Sequence, residues 1–346
     1  MNYDRAFFDA GIDRAGTQSV KWAARGIMQE GMVPLWVADM DFACARPIVD
    51  ALRARAEHAC YGYTFPSTED ARALIGFWTR RHKLALKPEY LVMMPTVVAG
   101  LRACVQTMTQ PGDGVIIQSP VYGPFIDAVR ESGRMMLDAG LKHDEYGRYT
   151  MDYEAIERHL VKGARLMILC NPHNPVCRAW TQEELRALLS LLNRYKARLV
   201  SDEIHADFVY SPKEFVPVLS LPEAREDTVM LVAASKTFNI AGLQQATAIC
   251  RDKDVAAMLT RYLERSGAHS GNIFALAGTR AAYLQCDDWL DGLLQYLLEN
   301  QEALRNLLAD LLPHAILSPM EATYLAWVDI RAYDTPNCEL GSRCKK

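Results

Sequence analysis

The sequence predicts an α/β fold: a mostly parallel sheet in a large domain, with a smaller α+β domain built from both chain ends. Three observations carry this. Short runs rich in Val, Ile and Leu recur through the middle of the chain without polar alternation, as in strands buried on both faces. Amphipathic helical segments lie between them, the alternation expected of α/β units. The pattern changes after about residue 287 and is absent from residues 1–45, and 346 residues at roughly 150 per domain predict about two domains. The expected division is residues 46–286 for the large domain and 1–45 plus 287–346 for the small one.

In chain order, Ser67 with Asp70 begins a helix carrying Leu74, Phe77 and Trp78. Thr96 precedes a second helix, Val97–Met108, which ends before the Pro111-Gly112-Asp113-Gly114 turn. Strands are predicted at Gly114–Gln118, Arg165–Cys170, Arg198–Ser201, Thr228–Ala233 and Gln245–Cys250. Between the second and third, Thr181 and Glu184 have capping-box spacing, and Leu185, Leu188, Leu189 and Leu192 form one apolar face. A long helix, about Trp289–Leu311, leads through Pro313 to an alternating strand at Ala322–Ile330. No internal repeat or Gly/Ser-rich linker is visible.

Composition excludes several classes. Half the residues are hydrophobic, 23% are charged, and 20 Gly and 16 Pro are no excess, which rules out a disordered or collagen-like chain. A net charge of −4 argues against a general nucleic-acid or anionic-membrane binder. The longest apolar runs, such as Leu166–Cys170 and Val229–Ala234, fall far below the ~20 residues of a membrane helix. Met1–Gly11 holds acidic residues and no apolar core, so no secretory signal is expected. Nine cysteines without a CxxC pair suit a reducing cytosol, and a soluble cytoplasmic protein is expected.

In open α/β sheets ligands collect at the carboxyl ends of strands. There the sequence delivers Tyr122, Asn174, Asp202 with His205, and Ser235 with Lys236. A loop lysine is ordinarily a solvated charge; its sharper reading is a Schiff-base lysine in a shielded site. Asp202 either caps the next helix or is a buried carboxylate held ionised by a cationic partner. Asn174 is a turn former, or an amide donor to a phenolate or carboxylate. Tyr122 is a packing aromatic, or a ring that stacks on a planar cofactor. His205 is structural, or close enough to Asp202 to reach the same ligand. Cys170, His173, Cys177 and His205 match no common zinc spacing, so no metal is expected. No GxGxxG, P-loop or GxSxG spacing is present.

Together these segments resemble the fold-type I pyridoxal-phosphate enzymes of the aminotransferase class I/II superfamily. Within it they resemble the MalY/PatB-type cystathionine β-lyases, which are carbon–sulfur lyases. The carriers are Pro34–Phe42, Tyr61-Gly62-Tyr63-Thr64, Asn171–Pro175, Ser201–His205 and Ser235–Leu243, and the likeness runs over about residues 1–330. The resemblance implies an aminotransferase-like sheet and pyridoxal 5′-phosphate bound covalently to Lys236. Asp202 would pair with the pyridine nitrogen, Asn174 and His205 would face the phenolic oxygen, and Tyr122 would stack on the ring. Ser235 and backbone amides near Val98 and Ala99 would hold the phosphate, and Tyr63 would reach the phosphate of a neighbouring subunit in a homodimer with shared sites.

The implied activity is β-elimination from cystathionine- or cysteine-type amino acids to thiol, pyruvate and ammonia. An aminotransferase is the alternative, since both routes use the same residues; a catalytically silent regulatory or binding protein on the same fold is a second. Members of that family normally continue further and supply an arginine that clamps the substrate carboxylate. Here the chain passes Arg331 into Thr335–Lys346, which shows neither periodicity nor that arginine motif. The expectation is therefore a small domain truncated at its C-terminus, with the cofactor site complete and substrate binding impaired.

Overall fold

The structure is a computed structural model that describes residues 2–23, 33–268 and 271–333. The tail, 334–346, and with it the expected truncation, lies outside the described residues.

The strands are β1 (Leu91–Met94), β2 (Gly114–Ile117), β3 (Met135–Asp138), β4 (Lys142–His143), β5 (Tyr149–Thr150), β6 (Leu166–Cys170), β7 (Arg198–Asp202), β8 (Val229–Val232), β9 (Ala246–Cys250), β10 (Ile316–Leu317) and β11 (Val328–Asp329). Seven of them form one sheet in the order β1-β9-β8-β7-β6-β2-β3. The run from β8 to β3 is parallel throughout, whereas β9 is antiparallel to both neighbours. The sheet is mostly parallel, as expected, and all five predicted buried strands are present.

The helices are α1 (Arg5–Asp9), α2 (Val20–Ala23), α3 (Arg46–Glu57), α4 (Thr68–His82), α5 (Val97–Met108), α6 (Gly123–Arg130), α7 (Tyr153–Val161), α8 (Gln182–Arg194), α9 (Ala234–Thr237), α10 (Lys253–Arg265), α11 (Ile273–Gln285) and α12 (Asp287–Leu311). Their caps follow the sequence. Ser67 with Asp70 and Thr181 with Glu184 form reciprocal capping boxes, and Thr96 Oγ1 accepts from the Ala99 N–H at 3.0 Å.

Both faces of the central strands β2, β6, β8 and β9 are buried, successive residues pointing to opposite sides and each side being covered. Val115, Ile117, Leu166 and Ile168 meet α5, α6 and α10, while Ile116, Met167 and Leu169 meet the core that includes the apolar face of α8. At Gly100 a Cβ would lie 2.6 Å from Met94 Sδ, so the missing side chain lets α5 sit close on the sheet. The N-terminal stretch packs on α12, with Phe8 against Trp289 and Tyr296 at ring distances of 5.8 and 5.3 Å.

One predicted element is corrected. The strand expected over Ala322–Ile330 shrinks to β11, paired only with β10. Its first half spends its backbone groups on separate loops. Glu321 and Ala322 donate to Cys177 O, the Glu321 carbonyl takes the Tyr210 N–H, and Thr323 donates to Phe208 O. Thr323 also sits at φ 65°, in the left-handed region that no strand tolerates.

Candidate active site

The carboxyl ends of the parallel strands open on a cavity of about 330 Å³. Each wall follows from where a strand stops. β7 ends on Asp202, β6 runs into the loop that carries Asn174, and Ser235 and Lys236 lie just past β8 in α9. Tyr122 stands at the start of α6, and Thr96 and Val98 bring the first turn of α5 to the same place. The structure thus gathers Lys236, Asp202, Asn174, His205, Tyr122, Ser235 and Val98 around one space. Ala99 is not on the wall, and its N–H is given to the Thr96 cap. Tyr63 lies away from the cavity and is fully exposed.

Electrostatics inside are set by burial. Asp202 is 3% exposed and accepts the Ile204 N–H at 3.1 Å. Burial pushes its pKa up to about 7, against the backbone hydrogen bond and the Lys236 charge. Among the described residues no cationic side chain lies within ion-pair distance of it. Burial pulls the Lys236 amine down, with Asp39 and Asp202 opposing, and its Nζ donates to the Ala38 carbonyl at 2.5 Å. Burial, then the Lys236 charge, lowers His205 to about 3, so its imidazole is neutral. Its Nδ1 has no hydrogen-bond partner among the described residues.

Glu203 faces away, as strand alternation requires. It accepts from Ser201 Oγ at 2.8 Å, the Val218 N–H at 3.0 Å and Asn171 Nδ2 at 3.3 Å. Arg331 is exposed and pairs with Asp329 two residues before it, so it does not point a free guanidinium at the cavity. Reasoning from sequence missed two neighbours of Lys236. The Ala38 carbonyl has no side-chain signature, and Tyr324, which donates to that carbonyl at 3.0 Å, was hidden in the expected strand.

A mostly parallel sheet carrying a half-buried lysine, an inward carboxylate and a helix N-terminus at one edge defines an enzyme-like site of the aminotransferase kind. The aminotransferase class I and II family matches residues 32–339, and the chain belongs to that family. Among its relatives, the cystathionine beta-lyase PatB of Bacillus subtilis is 38% identical over 98% of this chain and 88% of its own. Protein MalY of Escherichia coli is 31% identical over 94% and 84%. Among solved structures, cystalysin from Treponema denticola, which contains pyridoxal 5′-phosphate, has a TM-score of 0.92 at 29% identity, covering 97% of this chain and 86% of that one. The pyridoxal-phosphate-bound C–S lyase of Staphylococcus hominis has a TM-score of 0.88 at 30% identity, covering 94% and 83%.

Proposed function

We propose that this chain is a pyridoxal-phosphate-dependent carbon–sulfur β-lyase that splits cystathionine- or cysteine-type amino acids into thiol, pyruvate and ammonia. The observation that carries the reading is Asp202: a buried carboxylate, without an ion-pair partner among the described residues, on the same cavity as the Lys236 amine. Such a group calls for a cation, and the protonated ring nitrogen of pyridoxal phosphate is one.

The remaining residues fit that group. Lys236 would hold its carbonyl carbon, Asn174 and neutral His205 its phenolic oxygen, and Tyr122 its ring face. Ser235 and the first turn of α5, Val98 included, would take the phosphate, as a helix N-terminus does. When bound, the cofactor supplies an electron sink for the pair left by Cα–H cleavage. Lys236 takes the Cα proton at Nζ, and its burial keeps a larger share of the amine neutral and ready to do so. Asp202 would hold the ring-nitrogen proton in place. Relatives named as cystathionine β-lyases over nearly the whole chain support elimination rather than transamination.

The working assembly is a homodimer in which Tyr63 of one subunit completes the phosphate site of the other. Its full exposure, with Leu35 and Phe65 also exposed, supports this. The large domain over 46–286 and the small one from both ends are supported by the helix break at Cys286 between α11 and α12. A cytosolic location is supported by cysteines that are free among the described residues. Among those residues no helix is long and apolar enough to cross a membrane.

The test is an absorbance spectrum of the chain supplied with pyridoxal phosphate, before and after borohydride. A visible band should appear, bleach on reduction and be missing in Lys236→Ala. Cystathionine without any keto acid should then yield thiol and pyruvate. Dependence on an added keto acid would overturn the lyase reading in favour of an aminotransferase.

A further inference from the structure

Ala38 comes from the N-terminal stretch, far in sequence from the sheet, yet its carbonyl is the partner of the Lys236 amine at 2.5 Å. The same oxygen accepts from Tyr324 Oη at 3.0 Å, so two donors meet at one carbonyl. The following residues are clamped by Asn239, three positions beyond Lys236. Its Oδ1 accepts the Met40 N–H at 3.1 Å, and its Nδ2 donates to Met40 O at 2.9 Å and Phe42 O at 3.0 Å. Asn239 makes this reach with a left-handed backbone, φ 56°, which Asn tolerates better than most residues. From the other side Arg14 bridges the Asp39 and Asp41 carboxylates at 2.8 and 2.9 Å. Tyr324 is itself fixed, its ring edge-on to Phe208 at 4.8 Å.

We propose that the Ala38 carbonyl is the docking acceptor of the Lys236 amine whenever that amine is not covalently engaged, that Asn239 is the positioning residue that holds the stretch carrying this carbonyl, and that Tyr324 is a second donor competing for the same oxygen. The inference rests on the reading of Lys236 as the cofactor lysine. When protonated, this half-buried amine is an ammonium partly withdrawn from water, where an unpartnered charge is costly. A fixed carbonyl gives it a charge-assisted hydrogen bond. It also keeps a flexible four-carbon side chain pointed into the site instead of leaving it free to wander.

Other groups that interact with the amine are Asp39, Asp202 and His205, and Tyr122 and Cys170 line the same cavity. They stay in place in both variants proposed, apart from Asp39, which moves with the Ala38 stretch. Tyr324 and Lys236 share one oxygen, so each donor weakens the other's bond.

The experiment uses the full chain freed of cofactor. It is acylated with acetic anhydride across a pH series, and modification of Lys236 is read by mass spectrometry. Asn239→Gly keeps the left-handed backbone but deletes the clamp, so the ammonium loses its acceptor and the midpoint falls by about one unit, a tenfold change in proton affinity. Tyr324→Phe leaves the carbonyl to the amine alone, and the midpoint rises. Circular dichroism must match the parent chain; if the glycine variant does not fold, Tyr324→Phe carries the test. Opposite shifts support the inference, and any other pattern in folded protein overturns it. No cofactor or substrate is used, so a failure here leaves the lyase reading untouched, and a missing visible band would sink that reading separately.

Discussion

At the scale of single residues, two adjacent carboxylates at the end of β7 have opposite fates. Glu203 is tied into protein hydrogen bonds, whereas Asp202 faces the cavity with one backbone donor. Burial raises both, Asp202 to about 7 and Glu203 to about 8. A carboxyl whose folded pKa lies above its unfolded value binds more protons folded, so the cofactor-free chain loses stability as pH rises from about 4 to 7. Asp202→Asn removes this contribution. Thermal melts of the cofactor-free chains should coincide near pH 4, and above about pH 7 the variant should be the more stable, by at most about 4 kcal/mol. Its affinity for pyridoxal phosphate should fall. Equal melting curves at every pH would mean that Asp202 is not the strained group. Asp202, like Lys236, was legible in the sequence because a polar residue directly after a buried strand must lie at the sheet edge. Ala38 was not, since it acts through a backbone oxygen that any residue carries.

At the scale of elements, legibility followed burial. The strands with apolar residues on both faces stood out, while β1 alternates between buried and half-buried residues and β3 is partly open, and both escaped detection. The corrected stretch after β10 is held by a charge network that no local pattern announces. Arg178, fully buried, bonds Glu321 and also meets Glu184 at 2.6 Å, and Arg148 reaches Glu321 at 2.6 Å. Since Glu184 is the N3 member of the α8 capping box, the network ties that helix to the segment carrying Tyr324. Glu321→Ala leaves Arg178 only partly compensated. Urea unfolding should show a loss of about 3 kcal/mol, the lower end for breaking a buried pair. A loss below about 0.5 kcal/mol would show that the pair acts like an exposed one.

At the scale of the whole molecule, the unexplained feature is apolar surface. Leu35, Tyr61, Tyr63 and Phe65 are all exposed, and Gly271 lies so close to the Thr64 carbonyl that a Cβ there would sit 2.8 Å from it. The Tyr63 loop is therefore held out by close backbone packing, presenting an aromatic ring that the chain's own cavity does not use. A two-fold dimer places the same patch on both subunits, so each ring would enter the other's site. Lys236→Ala and Tyr63→Ala would then damage the same composite site from different chains. Each variant alone should be nearly inactive as a β-lyase. After mixing in equal amounts and re-equilibration, half of the dimers are hybrids with one intact site each, so activity should recover to about a quarter of the parent value. Recovery depends on exchange of subunits and should disappear when the variants are mixed without it. If Tyr63 worked within its own chain, no hybrid would hold an intact site beyond those already present, and the mixture would show only the average of its parts.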